Sequence, residues 1–160
     1  MVERLLELDD GASCTLFIDS GGGRVYSALA IMTTILLKRL DATAVVIGAC
    51  SSAALMVLAA CRRRLAAPYS VFQFHPVRWE SGENIERVEA MEWARHFQKL
   101  EIECDRLLAR LLGIAEKTVR EWVCSNRYLS GRELAEAGVL ELIDPIAGEF
   151  QALSSSIRAG

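Results

Sequence analysis

Residues 44–61 read Ala-Val-Val-Ile-Gly-Ala-Cys-Ser-Ser-Ala-Ala-Leu-Met-Val-Leu-Ala-Ala-Cys, and few architectures accommodate such a run. Its first four residues are small or β-branched and apolar, the composition of a buried strand. Gly48 interrupts them, and from Ser51 onward Ala, Leu and Met take over, which favour helix. The expected parse is strand, sharp turn, helix, with Ser51 and Ser52 at the helix start. A serine there has two uses. As an N-cap, its oxygen accepts an orphan backbone N–H. As a nucleophile, it stands in the positive field of the helix terminus, beside backbone donors that can hold an oxyanion. On spacing alone the cap is the commoner use. A membrane span has about this length too. The central Gly-Ala-Cys-Ser-Ser, the flanking Arg62, Arg63 and Arg64, and the lack of a second span argue against it.

A chain of 160 residues suits a single domain, 1–160, with a sizeable core. With 52% hydrophobic and 24% charged residues it reads as globular rather than disordered. The net charge of −3 gives no attraction to nucleic acid or to a membrane surface. An apolar excess without a span implies faces shared with other subunits. The five cysteines are odd in number, without close pairing, and no signal peptide precedes them. Reduced thiols and a cytoplasmic location are expected. Only two histidines occur, and no Cys/His spacing matches a metal site, so neither metal nor cofactor is expected.

Along the chain, residues 2–8 carry apolar positions at helical spacing, and Asp9-Asp10-Gly11 ends that helix. Residues 14–18 read as a strand running into Asp19-Ser20-Gly21-Gly22-Gly23-Arg24. Three glycines let the backbone adopt positive φ and approach a ligand closely. They make either a plain turn or a loop whose N–H groups point at an anion or oxyanion. Residues 25–40 form an apolar helix ending in Lys38 and Arg39, where the helix dipole favours cations. Residues 71–75 read as a third strand after the Pro68-Tyr69 turn, with His75 at its end. The alternation argues for parallel β-α-β units. Strand ends are where sites gather in such sheets, so the serine turn and His75 are candidates to meet. Residues 84–112 form one long charged helix with apolar positions at threes and fours. A shorter helix at 118–122, an extended 126–130, a helix at 131–137 and a strand at 139–143 follow, and residues 154–160 are expected to fray.

At this point the order of parts resembles a known family. Ile-Asp-Ser-Gly-Gly-Gly-Arg-Val (18–25) is similar to the Ile-Asn-Ser-Pro-Gly-Gly segment of the Clp protease proteolytic subunits. Gly-Ala-Cys-Ser-Ser-Ala (48–53) resembles their Gly-x-Ala-x-Ser-Met turn, in which the last serine is the nucleophile. Residues 68–75 match the length of their segment leading from proline to the catalytic histidine. Asn126-Arg127-Tyr128-Leu129-Ser130, then Glu136-Ala137-Gly138 and Asp144, resembles Asp-Arg-Phe-Leu-Ser followed by Glu-Tyr-Gly-Leu-Val-Asp. The likeness runs through residues 14–147. It implies an α/β fold of the ClpP/crotonase type, stacked β-β-α units with a projecting handle helix, here 84–112. It implies a ring homo-oligomer stacked through that handle and a serine endopeptidase acting on peptide or unfolded-protein substrates. It also implies an AAA+ unfoldase as partner. Carried over by position, Ser52 is the nucleophile, His75 the general base, and Gly22 or Gly23 with Ala53 the oxyanion hole.

Three departures accompany the likeness. The family's catalytic aspartate is replaced by Asn126, whose amide oxygen can orient an imidazole but carries no charge. With a serine nucleophile that change can cost on the order of 10⁴ in turnover while leaving hydrolysis above the background. Glu121 is the alternative third member, and Asn126 as a plain loop residue is the other reading. After His75 the chain reads Pro-Val-Arg-Trp-Glu-Ser-Gly-Glu instead of a glycine-rich strand. The axial N-terminal loop and first strand, which contact the unfoldase, are expected to be absent. Two other classes therefore stand beside the peptidase: an impaired structural or regulatory ring subunit, and an acyl-CoA enzyme of the crotonase group.

Overall fold

The computed structural model describes residues 1–82 and 84–147. In chain order the elements are α1 (Val2–Leu6), β1 (Ser13–Ser20), α2 (Val25–Leu37), β2 (Asp41–Cys50), α3 (Ala54–Ala60), β3 (Arg63–Ala66) and β4 (Val71–Gln73). Then come α4 (Arg87–Leu112), α5 (Glu116–Cys124), β5 (Tyr128–Ser130), α6 (Gly131–Glu136) and β6 (Glu141–Leu142). This is the mixed α/β fold that the resemblance implies. The elements divide into two compact units, one of Met1–Gln73 with the chain from Tyr128 onward, the other of Phe74–Arg127.

In the first unit β2 is the spine. Its residues 41–46 pair in parallel with Ser13–Ile18 of β1, and Thr43–Val46 pair in parallel with β3 on the other side. Near its far end Ala49 faces Val71 of β4, which runs antiparallel to β5. A strand flanked on both sides is largely shielded from water, so it reads as an apolar run instead of a strict alternation, although Ile47 stays exposed. Ala42, Ala44, Val45, Val46 and Cys50 are accordingly all buried. With Ile35 of α2, Leu58 of α3, Leu65 of β3 and Phe72 of β4 they make the core.

Gly48 does not end the strand as its place in the sequence suggested. β2 continues to Cys50 by pairing with Ser20 and Val71, and a Cβ at Gly48 would stand 2.5 Å from Oδ1 of Asp19. That oxygen accepts the Ala49 N–H at 2.9 Å. The glycine makes room for a carboxylate rather than for a bend. α2 stops at Leu37, three residues short of expectation. Arg39 adopts φ 51°, and the Leu40 N–H returns to the Ile35 carbonyl, closing the helix. β3 was hidden in the sequence by its arginines. Arg63 pairs with Glu141 at 2.9 Å on the surface, while Arg64 donates inward to the Val139 carbonyl at 2.7 Å.

In the second unit α4, 26 residues or about 39 Å long, is the expected long helix starting at Arg87. Its buried residues, from Cys104 to Leu112, all lie in its last third, where α5 contributes Val119, Trp122 and Val123. Phe74 meets Trp122 edge-on at 5.1 Å. Val88 and Met91 on the first turns of α4 stay exposed. All five cysteines are unpaired. Among the described residues no helix is long and apolar enough to cross a membrane. The expected fraying of 154–160 lies outside the described residues.

Candidate active site

The serine turn lies between β2 and α3. The Ser51 N–H donates to the Ser20 carbonyl at 2.9 Å, and the Ser52 N–H to the Gln73 carbonyl at 2.8 Å. The turn is thereby fixed to the ends of β1 and β4. Ser52 takes φ 56°, the left-handed region that a residue with a Cβ seldom enters and that marks strain at functional turns. The N-cap reading of the serines fails here. The N-cap of α3 is Ala53, and no side chain caps it. Ser51 is buried at 7% exposure, whereas Ser52 is half-buried.

The glycine loop comes against this turn. A Cβ on Gly22 would lie 2.7 Å from the Ser52 Cβ, 2.9 Å from the Ser51 carbonyl oxygen and 3.2 Å from the Ser52 hydroxyl oxygen. Gly22 and Gly23 have φ 107° and 140°, which glycine alone adopts without strain. The two glycines differ in what their amides do. The Gly22 N–H donates to the Ser20 hydroxyl at 3.2 Å. The N–H groups of Gly23 and Ala53 make no hydrogen bond among the described residues of this unit. Gly22, Gly23 and Ala53 line one cavity of about 270 Å³, walled by apolar side chains that include Phe17, Ile31 and Val57. Gly22 both lines that cavity and packs against Ser52.

His75, Asn126 and Glu121 belong to the second unit. β4 ends at Gln73, so His75 sits two residues past the strand instead of on it; the Phe74 N–H donates to the Arg127 carbonyl at 2.9 Å. His75 is half-buried, with Nδ1 2.6 Å from the Pro76 carbonyl oxygen. A carbonyl only accepts, so Nδ1 carries the hydrogen, and in the neutral ring Nε2 holds the lone pair. That is the tautomer a general base needs at Nε2.

Asn126 has a backbone task that the sequence reading subsumed under "loop". Its φ is 57°, its N–H donates to the Val123 carbonyl, and the next N–H, of Arg127, donates to the Trp122 carbonyl, each at 3.0 Å. This pair of bonds closes α5 with a left-handed residue, a position that takes glycine first and asparagine next. Its side chain is exposed and makes no hydrogen bond among the described residues of its own unit. Glu121 lies on exposed α5 surface, 3.8 Å from Lys117.

Comparison with known proteins gives a consistent answer. The Clp protease family model matches residues 1–149. An ATP-dependent Clp protease proteolytic subunit of Pleurastrum terricola is 25% identical over 137 residues, covering 84% of this chain and 69% of that protein. Subunit 3 of Nocardia farcinica is 26% identical over 141 residues, covering 87% and 64%. Subunit 1 of Thermobifida fusca is 26% identical over 143 residues, covering 88% and 64%. This chain therefore spans 64–69% of the length of those relatives. The match takes in nearly every described element, with the glycine loop and the serine turn among them, and the chain belongs to the Clp protease family.

Proposed function

We propose that this chain is a serine-type endopeptidase acting on peptides or unfolded protein within a ring of identical subunits. One observation carries the reading: the left-handed Ser52 turn backed by Gly22, with the amides of Gly23 and Ala53 making no hydrogen bond among the described residues of this unit. In this mechanism the Ser52 hydroxyl attacks the scissile carbonyl while Nε2 of His75 takes its proton. The tetrahedral oxygen is held by the Gly23 and Ala53 N–H groups, and the resulting imidazolium returns the proton to the leaving amine. Water then resolves the acyl-enzyme by the same steps in reverse. Of the two glycines expected at the oxyanion hole, Gly23 is the better donor, since the Gly22 N–H is engaged by Ser20.

The ring assembly is supported by the uncovered apolar residues Val88 and Met91 on α4, and by family membership. An ATPase partner and a cytoplasmic setting belong to the same proposal; the relatives are named ATP-dependent. A second reading, an impaired subunit that builds or regulates the ring, is favoured by Asn126. That residue is accounted for as the closure of α5 and brings no charge to an imidazolium.

Intact mass after exposure to a fluorophosphonate separates the two. A single adduct lost in Ser52→Ala and kept in Ser51→Ala is the result expected of the peptidase. No adduct on a folded, assembled protein assigns the chain to the structural class. Sedimentation at micromolar concentration tests the ring, and a monomer there removes it.

A further inference from the structure

The segment that follows His75 is tied to one face of α4. Phe97, Glu101 and Asp105 stand four residues apart and share that face. Trp79 stacks on Phe97 with ring centres 5.1 Å apart and planes 9° from parallel. One turn on, the Glu101 carboxylate accepts the Val77 N–H at 2.9 Å. The other end of that same peptide unit, the Pro76 carbonyl, takes the hydrogen from Nδ1 of His75 at 2.6 Å. Imidazole, peptide bond and carboxylate thus form one continuous chain of hydrogen bonds, closed within a single unit of the fold.

We propose that Glu101 is the positioning residue for His75, acting through the Pro76–Val77 peptide in place of a carboxylate bonded directly to the ring. The inference rests on the peptidase reading for its purpose, though not for its geometry. A carboxylate at the N–H end of a peptide draws that hydrogen toward itself and loads electron density onto the carbonyl oxygen, so consecutive bonds strengthen one another. The strengthened carbonyl holds the Nδ1–H tautomer and leaves the Nε2 lone pair for the Ser52 proton. When Nε2 takes that proton the ring becomes an imidazolium, Nδ1–H stays where it is, and no proton passes to Glu101. The negative charge is displaced from the ring by one peptide unit. It therefore orients fully and stabilises the cation less than a direct contact does.

Proline at position 76 fits this role. It has no N–H of its own, so the peptide preceding it offers His75 no competing donor, and its fixed φ limits the paths the segment can take. The replacement of a glycine-rich strand by Pro-Val-Arg-Trp after the histidine then has a function. It is the strap that carries the orienting group.

The test reads the tautomer of His75 by NMR in uniformly labelled full-length chain at pH 9, with His96 as the second and exposed histidine. An Nδ1–H majority at His75 in the wild type is the expected result. Glu101→Ala should move the tautomer ratio by about fivefold toward Nε2–H, the worth of one ordinary hydrogen bond. Glu101→Gln, whose amide oxygen still accepts from Val77, should keep the tautomer. An Nε2–H ring in the wild type overturns the proposal, as does a ratio unmoved in Glu101→Ala. Should Glu101→Ala fail to fold, Val77→Pro, which removes the N–H that Glu101 receives, should give the same shift, and an unmoved ratio there overturns the proposal. An Nδ1–H ring in a protein whose Ser52 never labels leaves this inference standing and removes the peptidase.

Discussion

The backbone of Gly22 is pressed against Ser52 so closely that a methyl group added there would lie 2.7 Å from the serine Cβ. The contact is between main chain and a turn already in a left-handed conformation, so neither side has a flexible end to move. Gly22→Ala should displace the serine turn, the glycine loop, or both. Fluorophosphonate labelling of Ser52 is expected to slow by roughly 10²-fold, the scale of losing one oxyanion donor. The positive φ adds a stability cost of about 1–3 kcal/mol, read as a lower melting temperature. Labelling at the wild-type rate would disconnect the glycine loop from the chemistry.

Asn126 closes α5 through its backbone, and three substitutions separate that role from the third-member role carried over by resemblance. Asn126→Gly keeps the left-handed turn after α5, so it should preserve stability without quickening Ser52 labelling. Asn126→Ala should lose about 1 kcal/mol, since a Cβ without a short polar group is unfavourable there. Asn126→Asp should label faster than wild type while losing about 0.3–1 kcal/mol to the negative end of the α5 dipole. An aspartate that leaves labelling unchanged would mean that this position does not serve His75.

Asp105 is buried at 6% exposure on α4. Burial, and after it the neighbouring Glu101 carboxylate, pushes its acid up to about 6; Glu116 of α5 adds to this and Arg120 of α5 opposes it. The fold favours the protonated form. This group's stabilising contribution is therefore complete below the unfolded value of 3.8 and is lost as pH rises through about 6. Asp105→Asn should gain on the order of 2 kcal/mol at pH 8 and nothing near pH 4. Chemical denaturation of both proteins at the two pH values measures it, and a gain equal at both would place the effect in packing rather than charge.

Thiol reagents provide an independent control on the identity of the nucleophile. Cys50, two residues before Ser52, is held by burial at about 12, and Cys61 likewise. Neither forms the reactive thiolate at working pH. Iodoacetamide at pH 8 should modify exposed Cys124 and leave fluorophosphonate labelling of Ser52 intact. Inhibition by loss of Cys50 would contradict a serine site.

Much of this was legible in the sequence because several signals agreed. The apolar run at 44–47, the glycine triplet and the threefold–fourfold pattern of α4 each follow from one-dimensional spacing. What stayed hidden depends on partners distant along the chain. Gly48 looked like a strand end because the Asp19 carboxylate that requires it is 29 residues away in sequence. β3 drew no strand reading, because Glu141 and the Val139 carbonyl, which receive its arginines, come much later. Asn126 looked like a failed aspartate, although the backbone at that position independently calls for a residue tolerant of positive φ. Glu101 was one charge among many on a helix, and nothing but the position of Val77 distinguishes it.

β2 is gripped by β1 over residues 41–46, by β3 over 43–46 and again at Ala49, three residues before the serine. The address of Ser52 is therefore written upstream, in strand register, while the chemistry is written in a few side chains at the end of it. A lesion at Ala44, which has no exposed surface, would silence the site without altering any residue in it. Side chains at the end of the strand can change while its register still delivers a serine to the same point.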